Sequence, residues 1–373
     1  MIPYGHQSID ASDIKAVTAV LKSDWLTQGP KIGEFEKTLA KYCGAKFAVA
    51  FSSGTAALHA AYFAAGLGRG DEFITTPLTF AATANAGLYL GARPVFADID
   101  GYGNLDPEKA EKKITNLPAG RREKLKALAV VDYAGHPADL DKFRKLARQH
   151  NLVLIEDAAH ALGAKYKNKK IGGIADLTTF SFHPVKSITM GEGGAVTANR
   201  KDFYDKLLFF RNHGMVEGKM QALGVNYRIT DIQSALGISQ LKKLDRFVGA
   251  RKKIAALYGE AFRQNKNLIL PEESPDASSS WHLYPLRIAG NPPACGAEKR
   301  AEIFKKLREA GIGAQIHYIP VYFHPYYQKL GYKKGLCPKA EAFSAAEISI
   351  PLFPDLRKQD QDFVIKTINK LTK

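Results

Sequence analysis

Three short stretches of this chain carry side chains able to do chemistry together. Residues 180–196 read FSFHPVKSITMGEGGAV, with Lys186 among apolar and small neighbours and glycines at 191, 193 and 194 behind it. A loop lysine is either a solvated surface charge or an amine in partly desolvated surroundings, where a lowered pKa lets it form a Schiff base. The glycines let the backbone turn tightly and come close to a ligand or a partner. Ser52-Ser53-Gly54-Thr55 stands between a β-prone run and an alanine-rich stretch. Free N–H groups and the dipole at a helix start favour a phosphate there, and a plain Ser/Thr N-cap fits equally. Glu156-Asp157 closes the apolar run NLVLIED. A carboxylate in such surroundings needs a partner. A protonated ring nitrogen is one, and the first N–H groups of a helix over AAHALG are another. His160, three residues on, is either a neighbour of that ligand or a buried histidine satisfied by backbone. TTFSFH (178–183) brings Ser181 and His183 to the end of a strand just before Lys186.

An amine, a strand-end carboxylate and a phosphate cradle together are what pyridoxal 5'-phosphate requires of a protein. The cofactor needs a lysine for its aldehyde, a carboxylate for its pyridine nitrogen and a seat for its phosphate.

The elements that must position these groups alternate. From about residue 46 to 200, FAVAFSS precedes a helical TAALHAAYFAAG, and EFITTP precedes TFAATANAGLYLG. PVFADID follows, then KALAVVDYAG, then DLDKFRKLARQHN with Leu140, Phe143 and Leu146 on one face, then NLVLIED. Strands apolar throughout, separated by amphipathic helices, predict a mostly parallel sheet covered on both faces. In such sheets ligands sit at the carboxyl ends of the strands, where all three groups fall. Beyond about residue 245 the texture changes. A helix around RKKIAALYGEAFRQN leads to the turn-rich PEESPDASSS, a strand-like WHLYPLRIAG, the helix AEKRAEIFKKLREAG and then GAQIHYIPVY. That strand–helix–strand order predicts a smaller α+β domain over 246–373, after a large α/β domain over 1–245 with an N-terminal arm at 1–12.

Composition bounds the function classes. With 45% hydrophobic and 24% charged residues the chain is of ordinary globular make-up. The apolar stretches are too short and broken to span a bilayer, and the first residues show no signal-peptide pattern. Cys43, Cys295 and Cys337 match no metal or disulfide spacing, so no metal and a cytoplasmic location are expected. The net charge of +16 is scattered in groups such as RREKLK, KNKK and QLKKLDR, without a continuous basic stripe. Solubility and steering of an anionic small molecule account for it better than nucleic acid does.

In combination SSGTAAL, TPLTFAATANA, EDAAHALG, FSFHPVKSITMGEGGAV, RNHGM and LGVNYRITDIQSALGISQLKKLD resemble the DegT/DnrJ/EryC1/StrS family of sugar aminotransferases. The likeness runs from about residue 3 to the C-terminus, through HYIPVY (317–322) and AEISIPLFP (346–354). VDYAGHPADLDKF and ALGAKYKNKKIGG add a closer likeness to the pseudaminic acid branch of that family. The resemblance implies a fold type I, aspartate aminotransferase-like α/β architecture with a smaller C-terminal α+β domain. It implies pyridoxal phosphate as cofactor, a UDP-keto-sugar and L-glutamate as substrates, and a homodimer with shared active sites. Residue by residue it implies Lys186 as the cofactor lysine and acid/base, Asp157 at the pyridine nitrogen and His160 near the ring oxygen. Phe80 would stack on the ring, Gly54, Thr55 and Ser181 would hold the phosphate, and Asn226 would reach the phosphate of the neighbouring subunit. Arg228, His317 and Tyr318 would contact the nucleotide sugar. Some family members with histidine at the lysine position are sugar dehydratases, and Lys186 speaks against that here. A different keto-sugar and a non-catalytic regulatory protein are the remaining alternatives.

Overall fold

The computed structural model describes residues 1–290 and 293–372, without side chains for 293–296, so the Cys295 thiol lies outside the described residues. Seven strands form the main sheet: β1 (Phe47–Phe51), β2 (Glu72–Thr75), β3 (Arg93–Phe96), β4 (Leu125–Val131), β5 (Val153–Asp157), β6 (Leu177–Ser181) and β7 (Gly194–Ala198). Their spatial order is β1-β7-β6-β5-β4-β2-β3. β7 runs antiparallel to both neighbours, and the other pairings are parallel. The carboxyl ends of β1, β4, β5 and β6 therefore share one edge, and the register Phe51↔Gly194↔Ser181 brings the start of β7 to the same edge.

Helices cover both faces, as the unbroken apolar strands require. α1 (Ala11–Leu21) and α2 (Pro30–Cys43) lie toward one face. α3 (Gly54–Ala64) lies on the other, and α4 (Ala82–Tyr89) follows β2. α3 buries eight of its eleven residues. A helix apolar nearly all round belongs inside, and its small alanines let it sit against β6 and β7. α5 (Leu140–Gln149) is amphipathic: Leu140, Phe143, Leu146 and Ala147 are buried, and Asp139 accepts from the Lys142 N–H at its start. α6 (Lys201–Arg211) packs beside α3. α7 (Asp231–Leu241) opens with a Thr230/Gln233 capping box, and α8 (Leu244–Phe262) follows after a break at Lys242–Lys243. The capping box and this break divide the stretch ITDIQSALGISQLKKLD between the two helices.

The C-terminal part builds a three-stranded antiparallel sheet, β8 (Leu268–Ile269), β9 (Tyr284–Ile288) and β10 (Glu347–Ile350), with β9 in the middle. α8, α9 (Pro293–Glu309) and α10 (Lys358–Leu371) enclose its apolar side. The strand expected within GAQIHYIPVY does not form. That segment makes one isolated bridge, Gln315 to Ser349, and residues 347–350 take the sheet position instead. The helix expected over AAHALG is a series of turns, closed by Gly163 at a left-handed φ of 91°. Residues 2–4 lie along the C-terminal part, Ile2 pairing with Ile312 and the Tyr4 carbonyl accepting from the Leu352 N–H. Among the described residues no helix is long and apolar enough to cross a membrane.

Candidate active site

The shared strand edge surrounds a cavity of about 430 Å³. Asp157 is the last residue of β5 and Ser181 the last of β6, while Lys186 sits in the turn that follows, its N–H bonded to the His183 carbonyl. Lys186 is half-buried because it faces the cavity, yet the surrounding walls desolvate its ammonium and bring its pKa down to about 8. Asp157 nearby opposes that shift, and Arg251 adds to it.

Asp157 is buried, and burial pushes its carboxyl above the ordinary range. Three groups oppose this. Thr83 donates its hydroxyl to Oδ2 at 2.6 Å, the Ala159 N–H donates to Oδ1 at 3.1 Å, and Lys186 contributes its charge. The Ala159 bond is a local turn cap rather than the start of a helix. His160 is buried and held neutral, since desolvation and then the charge of Lys186 drive its pKa well below the ordinary value. Its Nε2 lies 3.0 Å from the Tyr318 hydroxyl, and its Nδ1 has no partner among the described residues.

At the opposite side of the cavity α3 begins. Ser53 caps it by accepting from the Ala56 N–H at 3.1 Å, while the N–H groups of Gly54 and Thr55 make no hydrogen bond among the described residues. Those two groups point the helix dipole at whatever lies before them. A Cβ on Gly54 would stand 2.8 Å from that of Ser181, so only glycine lets the helix start pack on the end of β6. Gly194 is equally constrained, since a Cβ there would come within 2.3 Å of the Ser53 carbonyl oxygen. Phe80 is 63% exposed yet lines the cavity, with its ring centroid 6.1 Å from that of Tyr318. The amine, the carboxylate and the anion seat thus open on one space, and this donor set fits pyridoxal phosphate.

Of the residues singled out from the sequence, Gly54, Thr55, Phe80, Asp157, His160, Ser181, Lys186, His317 and Tyr318 all line this cavity. Asn226 and Arg228 do not. Arg228 donates to the Asn212 side chain at 2.7 Å, and exposed Asn226 accepts from the Arg228 N–H at 3.4 Å. Their segment still abuts the anion seat, because the Tyr227 carbonyl accepts from the Ser52 N–H. Sequence reasoning missed Thr83, Tyr4 and Glu192. Thr79 and Thr83 stand four residues apart in TPLTFAATANA, a spacing that puts hydroxyls together, but nothing local points to Tyr4.

The family model described as the DegT/DnrJ/EryC1/StrS aminotransferase family matches residues 7–369. The chain is 43% identical over 373 residues to the UDP-4-amino-4,6-dideoxy-N-acetyl-beta-L-altrosamine transaminase of Campylobacter jejuni subsp. jejuni serotype O:23/36 (strain 81-176), covering 99% of this chain and 96% of that protein. The structure of Helicobacter pylori PseC, an aminotransferase of pseudaminic acid biosynthesis, superposes with a TM-score of 0.93 at 37% identity, over 100% of this chain and 99% of that one. The PLP form of the Streptococcus pneumoniae sugar aminotransferase Spr1654 gives 0.91 at 30% identity, over 100% and 98%.

Proposed function

The chain belongs to the DegT/DnrJ/EryC1/StrS aminotransferase family, and on that premise we propose that it is a pyridoxal-phosphate-dependent transaminase of nucleotide sugars. It moves an amino group from L-glutamate to C4 of UDP-2-acetamido-2,6-dideoxy-β-L-arabino-hex-4-ulose, the keto-sugar of pseudaminic acid biosynthesis. The convergence of Lys186, Asp157 and the free N–H groups of α3 on one cavity carries the transaminase reading. The 43% identity to a transaminase named for the corresponding 4-amino sugar supports the choice of substrate.

Pyridoxal phosphate, when bound, supplies an aldehyde for amine exchange and a ring that accepts the electron pair released at the amino-bearing carbon. The rest is work for the chain. Gly54, Thr55 and Ser181 hold the phosphate. Asp157, anchored by Thr83 and the Ala159 N–H, keeps a proton on the ring nitrogen. Phe80, at the cavity wall, would cover the ring, and neutral His160 would stand near its oxygen. Lys186 Nζ would hold the cofactor and, as a free amine, would take and return the transferred proton. An amine titrating near 8 is suited to both directions of that transfer. His317 and Tyr318 line the cavity from the C-terminal part, which supports a role for them in contacting the sugar nucleotide. The active unit is a homodimer in which Asn226 serves the neighbouring site, a reading supported by its exposure and its absence from the cavity of its own chain.

The deciding experiment is turnover of the synthetic UDP-4-keto sugar with L-glutamate, with NMR of the sugar product and assay of 2-oxoglutarate. Formation of the C4 amine with one 2-oxoglutarate per turnover is expected. Amination only of a 3-keto or differently linked nucleotide sugar would overturn the substrate. Loss of water without nitrogen transfer would overturn the reaction.

A further inference from the structure

The main chain of His317 is held at both of its polar groups by buried side chains. Its N–H donates to Glu347 Oε2 at 2.8 Å, and its carbonyl accepts from the Tyr133 hydroxyl. The two partners come from different parts of the chain. Tyr133 stands two residues beyond β4 at 1% exposure, its own N–H bonded to the Asn104 side chain at 2.8 Å and its ring edge-on to that of Phe343. Glu347 opens β10, fully buried, and its other oxygen accepts from the Ser349 hydroxyl. Backbone pairing stops just short of this point. Gln315 and Ser349 exchange both of their backbone bonds, and two residues on the Glu347 side chain takes the N–H that a neighbouring strand would otherwise take.

What is held there faces the cavity. His317 and Tyr318 both line it, His317 Nδ1 has no partner among the described residues, and the Tyr318 hydroxyl lies 3.0 Å from His160 Nε2. The His317 ring packs against those of Tyr4 and Tyr318, with centroids 5.4 and 4.8 Å away. Its unpartnered nitrogen is therefore aimed by the main chain and by ring packing. We infer that Tyr133 and Glu347 are positioning residues of the sugar-nucleotide subsite: gripping the His317 main chain from both sides, they set where the His317 and Tyr318 side chains meet the substrate. Neither lines the cavity itself, so each acts through His317. Packing alone would be served by a phenylalanine and an apolar side chain at these buried places, since a buried hydroxyl or carboxyl is costly unless bonded. The amine, the carboxylate and the anion seat are carried by β6, β5 and α3, so loosening His317 leaves them in place.

This role rests on His317 and Tyr318 meeting the sugar nucleotide, as proposed above. Binding is read by calorimetry between the holoprotein in its amine form and the synthetic UDP-4-amino sugar, a pair in which neither offers an aldehyde or ketone, so no amine is transferred. The amino donor's step is followed separately, as loss of the aldehyde form's absorbance with L-glutamate alone. Tyr133→Phe, which loses only the hydroxyl, should weaken sugar binding about fivefold or more and leave the glutamate step within a factor of about two. Glu347→Met, which fills the space without an oxygen acceptor, should do the same. Glu347→Gln keeps an acceptor for the His317 N–H and should bind within a factor of about two of wild type. Tyr133→Phe protein that binds the sugar as wild type does overturns the inference. So does a glutamate step slowed as far as binding is weakened, or a Glu347→Gln variant as weak as Glu347→Met. Should Glu347→Met not fold, Tyr133→Phe decides on the same two readings. Wild-type protein that does not bind this sugar overturns the substrate reading instead, and the grip on His317 is then read with the nucleotide sugar it does aminate.

Discussion

Thr83 Oγ1 lies 2.6 Å from Asp157 Oδ2 and 2.8 Å from Thr79 Oγ1. The carboxylate can only accept, so Thr83 gives its proton to Asp157 and must take one from Thr79. Two hydroxyls in series thus stabilise a charge that burial opposes. Thr83→Val keeps the shape and removes the donor. A hydrogen bond to a charged group is worth about 1.5–3 kcal/mol, so kcat should fall about tenfold or more. Thr83→Ser should stay near wild type. A valine variant turning over within a factor of about two would show the pair to be packing only.

Lys186→Ala should remove turnover and leave the thermal unfolding midpoint within a few degrees of wild type, because a half-buried side chain facing a cavity contributes little packing. Wild-type protein treated with borohydride should carry the pyridoxyl group on the peptide containing Lys186. Finding it on another lysine would move the reacting amine elsewhere.

Asp157→Asn should still retain the cofactor but work far more slowly. A neutral amide no longer holds the proton on the ring nitrogen, and the electron sink weakens. Loss of a charge-assisted bond of a few kcal/mol predicts a drop of about a hundredfold in kcat. Near-normal turnover would reduce Asp157 to a cap for the Ala159 turn.

How far these residues could be seen in advance follows from how local their signals are. Asp157 closes an unbroken apolar run, and Lys186 follows a strand end, so strand geometry alone sends both to one edge. Gly54 and Thr55 open a helix after a strand, again a local pattern. Thr83 meets Asp157 across 74 residues, and Arg251 meets Leu352 across 101. Such partners exist only once the sheets are assembled. GAQIHYIPVY looks like a strand by its alternating apolar positions, but His317 and Tyr318 are drawn to the cavity wall. Residues 347–350 offer four buried positions to the sheet edge and win the pairing. Tertiary context decided there against local propensity.

Glu347 gives a pH-dependent prediction for stability. It is fully buried on β10, where Oε2 accepts from the His317 N–H at 2.8 Å and Oε1 from the Ser349 hydroxyl at 2.5 Å. Burial pushes its pKa up to about 8, against the opposing pull of Ser349, the His317 N–H and Arg300. The folded chain therefore keeps this proton to higher pH than the unfolded chain, whose glutamate titrates near 4.5. The stability from that proton is complete below about 4.5 and is lost as pH rises toward 8. Glu347→Gln removes the ionisation and keeps the shape. Its Tm relative to wild type should gain about 2 °C or more between pH 5 and pH 8.5. A Tm difference that is the same at both pH values would mean the carboxyl is not protonated in the fold.

Asn226 sets the last prediction. It is exposed, makes one long bond to the Arg228 N–H, and lies beside the Tyr227 carbonyl that holds Ser52 at the anion seat. The position is next to a seat without lining the cavity of its own chain, as a residue serving a symmetry mate would be. In a two-fold dimer the same patch serves both sites. Asn226→Asp puts a negative charge where a phosphate would be met and should weaken cofactor retention about tenfold or more. Mixing that variant with Lys186→Ala makes the arrangement measurable. If Asn226 acts across the interface, a heterodimer has one site carrying both defects and one carrying neither. Activity after confirmed subunit exchange should then rise well above the sum of the parents, toward a quarter of the wild-type level in an equal mixture, since about half the dimers are mixed and half of their sites are intact. If Asn226 acts within its own chain, every heterodimer site keeps one defect. Exchange without recovered activity would therefore remove the shared site, while leaving Lys186 and Asp157 in their roles.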